Sequence, residues 1–593
     1  MSKREERLFR SQTTRNANHI FSRDEAVQYI LEPDGELSDL EIEDDEDLDH
    51  EEDDNDPDWN PPVDPSLEYN VDEDDLPYPT PFQSSSSREF RWRKQNFESP
   101  DVTWKSSLPP PPPEIPTPIE YFKQMFDDDM VERLVFQSNL YAMQKEGVQL
   151  KVTNKEMGQF LGIHMLMGII KQPTMSQHWN RATRFPLIAD VMPRDRFKTL
   201  RRFFHANDNH LAVPKGQDGY DSLFKLRPVI DGLRANLTKI PAEERQSIDE
   251  QMVPFKGKLR FKQYLKDKPH SWGIKIFSRA GASGIIYDFE VYTGKGSVPV
   301  TELGQGAEVV LRLAEEIPRD KNFKLFFDNY YTSIPLIREL LLHGIHSAGT
   351  VRTNRLKGCN IEADDLLKKK GRGSFDYRVE TNSGIVVTKW FDNKSVCIAS
   401  SFVGAEPSDN CKRWDRNSKK YVDVVRPLCI AEYNKFMGGV DLSDMLIELY
   451  RIDIRGKKWY MRLFYYFLDL SVVNAWLLYR RHMGQQGRTH NKSLLDFKSE
   501  IANYLTSTND GTPKPRGRPL RDQDCSTPKR PKLAKPKPYD SVRYDGIQHW
   551  PEAVADKKRC RLCSAYARIQ CFKCHVSLCL VKNRNCFKIF HTQ

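Results

Sequence analysis

The apolar residues of this chain change period twice, and few folds accommodate that. Over 113–245 they recur at helical intervals: Tyr121, Phe122, Met125 and Phe126, then Val131, Leu134, Val135, Leu140 and Tyr141, with an apolar run at 160–170. From residue 271 the runs become short, aromatic and β-branched, at 271–277, 284–292 and 324–328. A helical stretch at 309–317 separates the last two, so the alternation predicts an α/β core over 246–353. More short strand signals, at 384–390 and 395–400, occupy 354–426. Helical pattern returns at 440–450 and 460–481, so 427–450 rejoins the core and 451–507 is helical again.

Both ends break this pattern. Residues 32–75 hold 23 Asp and Glu without one Lys or Arg, and a four-serine run and a proline tract follow. Residues 1–112 therefore read as a disordered acidic arm that cannot bury enough apolar surface to offset ordering entropy. Taking those 23 from the 83 acidic residues leaves 60 against 90 Lys and Arg, a surplus of about 30 over the rest of the chain. A positive body with a detached acidic arm points to a polyanion partner, most often nucleic acid. A composition of 38 % hydrophobic and 11 % aromatic residues supports a sizeable core and excludes collagen-like, coiled-coil and wholly disordered chains. Residues 508–543 carry seven prolines and ten Lys or Arg against four Asp, a basic linker. No apolar run follows Met1, so no secretory signal is expected. The stretch 463–479 is short and holds Asp469 and Asn474 at its centre, which predicts a buried helix rather than a membrane span. Six of the eleven cysteines crowd into 560–593; in a reducing compartment such clustering means metal ligation, and the chain is expected in the nucleus.

Three aspartates stand out by context. Asp249 precedes the strand region, Asp328 ends an apolar strand abruptly, and Asp441 opens a helix with Asp444 one turn on. Carboxylates at strand ends and a helix start can converge on one side of a sheet, where their repulsion is relieved by oxygen-preferring divalent cations. Two Mg²⁺ ions about 3.5–4 Å apart would activate an attacking oxygen and stabilise a leaving one at phosphorus. The alternative is that these are turn and N-cap aspartates.

Six motifs then carry a resemblance. They are IDEQMVPFKGK at 248–258, KPHSWGIK at 268–275, FDNYYTSIPL at 327–336, GTVRTNR at 349–355, YNKFMGGVDLSD at 433–444 and RGKKWY at 455–460. In this order they resemble the piggyBac transposase family and its domesticated derivatives, from about residue 115 to the C-terminus. The resemblance implies an RNase H-like catalytic domain with Asp249, Asp328 and Asp441 as its metal-binding triad and Asp444 close by. It also implies an insertion at 354–426, flanking helices paired into a dimerisation and DNA-binding domain, and Mg²⁺- or Mn²⁺-dependent excision and integration at TTAA through a hairpin intermediate. The partners implied are double-stranded DNA bearing terminal inverted repeats and a second copy of the chain. Candidate phosphate contacts are Lys268, Lys275, Arg352, Arg355, Arg455, Lys457 and Lys458. Trp459 reads either as a stacking residue or as a core anchor. A rival reading is a non-catalytic DNA- or chromatin-binding protein that keeps the transposase body as a scaffold.

The tail reads Cys560-x₂-Cys563, Cys571-x₂-Cys574, Cys579, Cys586 and His591. Two CxxC pairs followed by Cys and His signal zinc, each pair giving half of a tetrahedral site. Over 544–593 the family's cross-brace implies two Zn²⁺, one on Cys560, Cys563, Cys579 and a histidine, the other on Cys571, Cys574, Cys586 and His591. The missing histidine is His549 or His575, with His549 favoured because His575 abuts Cys574. In the linker, KPRGRP at 514–519 matches an AT-hook core, with Arg516 and Arg518 suited to a narrow minor groove; nuclear import is an equal rival.

Overall fold

The computed structural model describes residues 90–507, apart from 266–267, 269, 295–300, 417 and 490–491, and residues 540–592. The acidic arm up to residue 89 and the linker with Arg516 and Arg518 lie outside the described residues.

Helices α1 (Pro118–Met125), α2 (Asp128–Glu146), α3 (Asn154–Ile169), α4 (Arg194–Phe203) and α5 (Arg227–Leu237) precede the sheet. Their starts are set locally. Thr117 and Glu120 form a reciprocal capping box, Asp127 accepts from Met130 N at 2.9 Å, and Thr153 accepts from Glu156 N at 3.2 Å. After the sheet come α8 (Leu428–Phe436), α9 (Gly439–Leu449), α10 (Trp459–Gln485) and α11 (Leu494–Thr506); α6 (Gln305–Leu313) and α7 (Ile334–Leu342) lie within it. Helix α10 is buried on every side through its middle and packs against α1, α9 and α11. A single apolar cluster joins the helices before and after the sheet. Both central polar residues of α10 are used: Asn474 bonds both backbone groups of Ile286, at 3.0 and 2.7 Å, and Asp469 pairs with Lys498 at 2.6 Å. Among the described residues no helix is long and apolar enough to cross a membrane.

The sheet is mixed. Strands β2 (Arg245–Pro254), β4 (Trp272–Gly281) and β5 (Ile286–Val291) run antiparallel, with short β3 (Gln263–Tyr264) also on β4, while β6 (Phe323–Phe327) and β7 (Ile345–Thr350) lie parallel to β2 on its other side. The order β5-β4-β2-β6-β7, with helices α6 and α7 crossing between strands, is the expected RNase H-like arrangement. One face packs on α6 and α7 through Ile248, Leu325 and Phe327; the opposite face, carrying Phe326, Ala348 and Ile398, is covered by α8.

Two segments depart from the sequence reading. The strands of 354–426 do not stand apart: β8 (Phe375–Glu380), β9 (Val386–Phe391) and β10 (Ser395–Ser400) continue the same sheet, β10 pairing with the open edge of β7. An unpaired β7 edge would leave backbone groups unsatisfied, and β10 takes them. Among the described residues of 354–426, only the hairpin β11 (Asp409–Asp415) and β12 (Lys420–Arg426) forms a separate ladder. Residues 90–105, grouped above with the disordered arm, run against the sheet. Short β1 (Trp92–Arg93) pairs with β8, Asn322 donates to Thr103 O at 2.8 Å, Lys324 donates to Val102 O at 2.6 Å, and Trp104 packs edge-on against Phe323. Isolated aromatics anchor this stretch, and no periodicity announces them.

In the tail, β13 (Pro551–Arg559) pairs with β14 (Tyr566–Cys571), short β15 (Leu580–Val581) with β16 (Arg584–Asn585), and α12 (Cys586–Thr592) closes the unit.

Candidate active site and metal centres

The register of two parallel strands builds the site. Ile248 on β2 is paired with Phe327 on β6, so the next residues, Asp249 and Asp328, lie abreast. By the pleat they share the face of Ser247 and Phe326, away from α6 and α7. Helix α9 lies on that face because its first residue has no side chain: a Cβ on Gly439 would stand 2.3 Å from Gly281 O. This close approach explains the Gly-Gly before Asp441. Asp441 sits in the first turn of α9 and Asp444 one turn further, with Ser443 buried between them.

The carboxylates repel. Burial first, then Glu250 and Asp328, push Asp249 up to about 7 against the pull of Lys268. Burial and Glu250 push Asp328 up to about 6, against a hydrogen bond from Tyr330 N and the charges of Lys275 and Lys268. Asp444 is pushed up to about 6 by burial, with Lys268 opposing. Lys268 is central to this balance: its ammonium lies 4.0 Å from Asp441 and donates to Glu250 O at 3.0 Å.

Several cations read as phosphate contacts are committed inside the protein. Lys268 faces the carboxylates. Lys275 is buried, its ammonium over the rings of Phe277 and Tyr330 at 4.8 and 4.7 Å. Arg355 donates to the carbonyls of Asn329, Tyr330 and Thr332 at 2.5, 3.3 and 3.0 Å, clamping the loop that carries Asp328. Arg352 caps the short turn Thr353–Arg355 and is half-buried. Trp459 takes the anchor role, its ring edge-on to Phe261 at 5.4 Å. Arg455 and Lys457 are exposed, as expected of contacts; Lys457 and Lys458 line a pocket with Lys198, Arg201, Arg202 and Arg462, and Arg201 donates to Arg455 O at 2.8 Å. An ion-pair chain from Glu448 through Arg451 and Asp453 to Arg462 links this basic pocket to the acidic side of α9.

Sequence reasoning missed Glu250 and Tyr331. Glu250 raises both neighbouring aspartates, and the fully buried Tyr331 hydroxyl donates to its carboxylate at 3.2 Å. Both stand within the quoted motifs, and no spacing rule separates them from structural residues.

The tail gathers all eight expected ligands, in a different partition. His549, Cys571, Cys574 and His591 form one set, and Cys560, Cys563, Cys579 and Cys586 the other, the ligand atoms of each lying within 4.8 Å of one another. The β15–β16 hairpin explains the change. It folds Cys579 and Cys586 back to back, with Phe587 N donating to Cys579 O at 3.0 Å, so both serve the same site. Pairing of Pro551 with Cys571 sets His549 beside the second CxxC, whereas His575 is exposed with φ 50°. The histidines are oriented from behind. His549 Nε2 meets Val542 O and Asp545 while its Nδ1 faces Cys571 at 3.4 Å; His591 Nδ1 bonds Phe587 O, leaving Nε2 buried without a partner. A buried, unpartnered imidazole nitrogen beside two thiols fits a tetrahedral metal ion.

Comparisons with known proteins agree with this architecture. The family model described as "Transposase IS4" matches residues 117–476. The human "PiggyBac transposable element-derived protein 3" is 34 % identical over 513 residues, covering 85 % of this chain and 81 % of that protein. The human "PiggyBac transposable element-derived protein 2" is 32 % identical over 455 residues, 75 % and 72 % of the two chains. The cryo-EM structure of a piggyBac transposase synaptic complex with hairpin DNA superposes with a TM-score of 0.56 at 21 % identity, covering 80 % of this chain and 98 % of that one. The sheet order, the helix laid over its carboxylate face and these relatives converge: the chain belongs to the piggyBac transposase family.

Proposed function

We propose that this chain catalyses divalent-metal-dependent DNA strand cleavage and transfer, cut-and-paste transposition at TTAA sites through a DNA hairpin. The observation that carries the reading is the β2–β6 register, which sets Asp249 beside Asp328 on the face where α9 brings Asp441 and Asp444. The donor set fits Mg²⁺ or Mn²⁺: hard oxygen ligands, two of which, Asp249 and Asp328, burial and the neighbouring Glu250 push up to about 7 and about 6. Asp249, Asp328 and Asp441 would hold the ions, which when bound supply charge at the attacking and leaving oxygens of a phosphodiester.

The remaining groups position these ligands. Arg355 and Tyr330 N fix the Asp328 loop, Gly439 lets α9 approach the sheet, and Lys268 offsets the carboxylates before a cation arrives. The basic pocket between α4 and the start of α10 is suited to the phosphate backbone of duplex DNA. The superposed piggyBac transposase is a synaptic complex with hairpin DNA, which supports DNA as partner and the hairpin route. A homodimer, a nuclear location and two structural Zn²⁺ in a tail that recognises transposon ends belong to the same reading; the tail's two ligand sets support the Zn²⁺ ions.

The test is cleavage by the full chain of a plasmid carrying terminal repeats bounded by TTAA, with Mg²⁺ or Mn²⁺. Asp249→Asn, Asp328→Asn and Asp441→Asn should each abolish cutting and spare duplex binding; a variant within about tenfold of wild type removes that residue from the metal clamp. The second reading, a non-catalytic DNA- or chromatin-binding protein, draws on the relatives' names, which describe them as derived from transposable elements. Tight duplex binding by a wild-type chain that never cuts would decide for it.

A further inference from the structure

The outer face of the β11–β12 hairpin carries an aromatic pair with no part in the site described above. Trp414 and Tyr421 are direct cross-strand partners, their rings 5.2 Å apart and edge-on at 71°. They remain 49 % and 67 % exposed. The inner face is committed to the body. Cys411, Val422 and Val424 join the apolar cluster beneath α8, Arg413 pairs with Asp392 at 3.2 Å, and the Trp390 indole N–H donates to Val425 O at 2.8 Å. Strand alternation therefore turns Lys412, Trp414 and Tyr421 outward from a ladder that is itself firmly seated.

Charge narrows the choice of occupant. Residues 409–426 hold six Lys and Arg against three Asp; Lys412 is exposed on the ring face, opposite Asp423, and Lys420 is exposed where the second strand begins, on the other face. Aromatic faces interleaved with cations match unstacked bases on a phosphate backbone; a protein groove would more often meet mixed charge. The hairpin also rests on Trp390, which belongs to the apolar cluster on the Asp328 face of the sheet.

We propose that Trp414 and Tyr421 form a stacking platform for unpaired nucleotides of a DNA strand, with Lys412 on the ring face and Lys420 at the turn end of the hairpin meeting its phosphates. The proposal rests on the DNA reading above only for the source of the strand. Its test uses the full chain and fluorescence anisotropy of a labelled oligo(dT) and of a duplex of equal length, over a range of salt. Trp414→Ala with Tyr421→Ala should weaken oligo(dT) binding on the order of ten- to a hundredfold and leave duplex binding within about twofold. Trp414→Phe with Tyr421→Phe should retain most of the affinity, and Lys412→Gln with Lys420→Gln should flatten the salt dependence. Oligo(dT) affinity unchanged by the double Ala variant overturns the proposal and marks the pair as a protein-binding surface. So does a wild-type chain that ignores oligo(dT). Cleavage is scored separately with the aspartate variants. A chain that never cuts yet loses oligo(dT) affinity in the double variant keeps the platform, and one that cuts normally with unchanged affinity loses it.

Discussion

Asn in place of Asp249 should stabilise the metal-free protein at about pH 8, and less than half as much at about pH 5. Burial, Glu250 and Asp328 raise this carboxyl from 3.8 to about 7, so between those values the folded protein holds a proton that the unfolded chain has released. The stability this provides is present below the unfolded value and is lost as pH rises through the folded one. At about 1.4 kcal/mol per pH unit the full interval is worth about 4 kcal/mol. Asp249 keeps some solvent contact and shares the field with Asp328, which reduces the expected gain to about 1–2 kcal/mol. Mg²⁺ should stabilise the wild type more at the higher pH, where the carboxylates are ionised, and do little for the Asn variant. Urea unfolding of the full chain, followed by tryptophan fluorescence with EDTA or Mg²⁺, reads all of these differences. An Asn variant no more stable than wild type at the higher pH in EDTA refutes the account of repelling carboxylates; an equal gain at both pH values would assign the effect to shape rather than charge.

Three further outcomes are expected. Lys498→Met leaves Asp469 buried without its cation and should cost about 3–5 kcal/mol in the same unfolding assay, most of it recovered by adding Asp469→Asn. Arg355→Lys keeps the charge but loses the fork that holds three carbonyls, so DNA cleavage should fall by on the order of a hundredfold while duplex binding stays put; full activity would show that the Asp328 loop needs no clamp. Metal analysis of the full chain should find two zinc ions, with Cys560→Ser and Cys571→Ser each losing a different one, since the two ligand sets share no residue; one zinc in the wild type would sink this partition.

The sequence disclosed what depends on near neighbours, and the fold added what depends on register. Asp328 was legible because an apolar strand stops on it, and Asp441 because Gly-Gly opens a helix there. That Asp249 lies beside Asp328 follows from Ile248 pairing with Phe327, a contact across seventy-odd residues that no periodicity records. The strands of 354–426 were legible one by one, yet the edge they join, β7, was not. The same limit governs the tail: each CxxC was plain, but the ligand sets depend on a hairpin of only a few residues between Cys579 and Cys586. The basic motifs show the same limit. Lys268, Lys275 and Arg355 read as phosphate contacts from their basic motifs, and the fold adds internal partners no motif announces: a carboxylate cluster, two aromatic rings and three loop carbonyls. Backbone contacts are to be sought where Lys198, Arg201, Arg202, Lys457 and Lys458 converge on one pocket, a cluster drawn from two segments about 250 residues apart and invisible to any local reading.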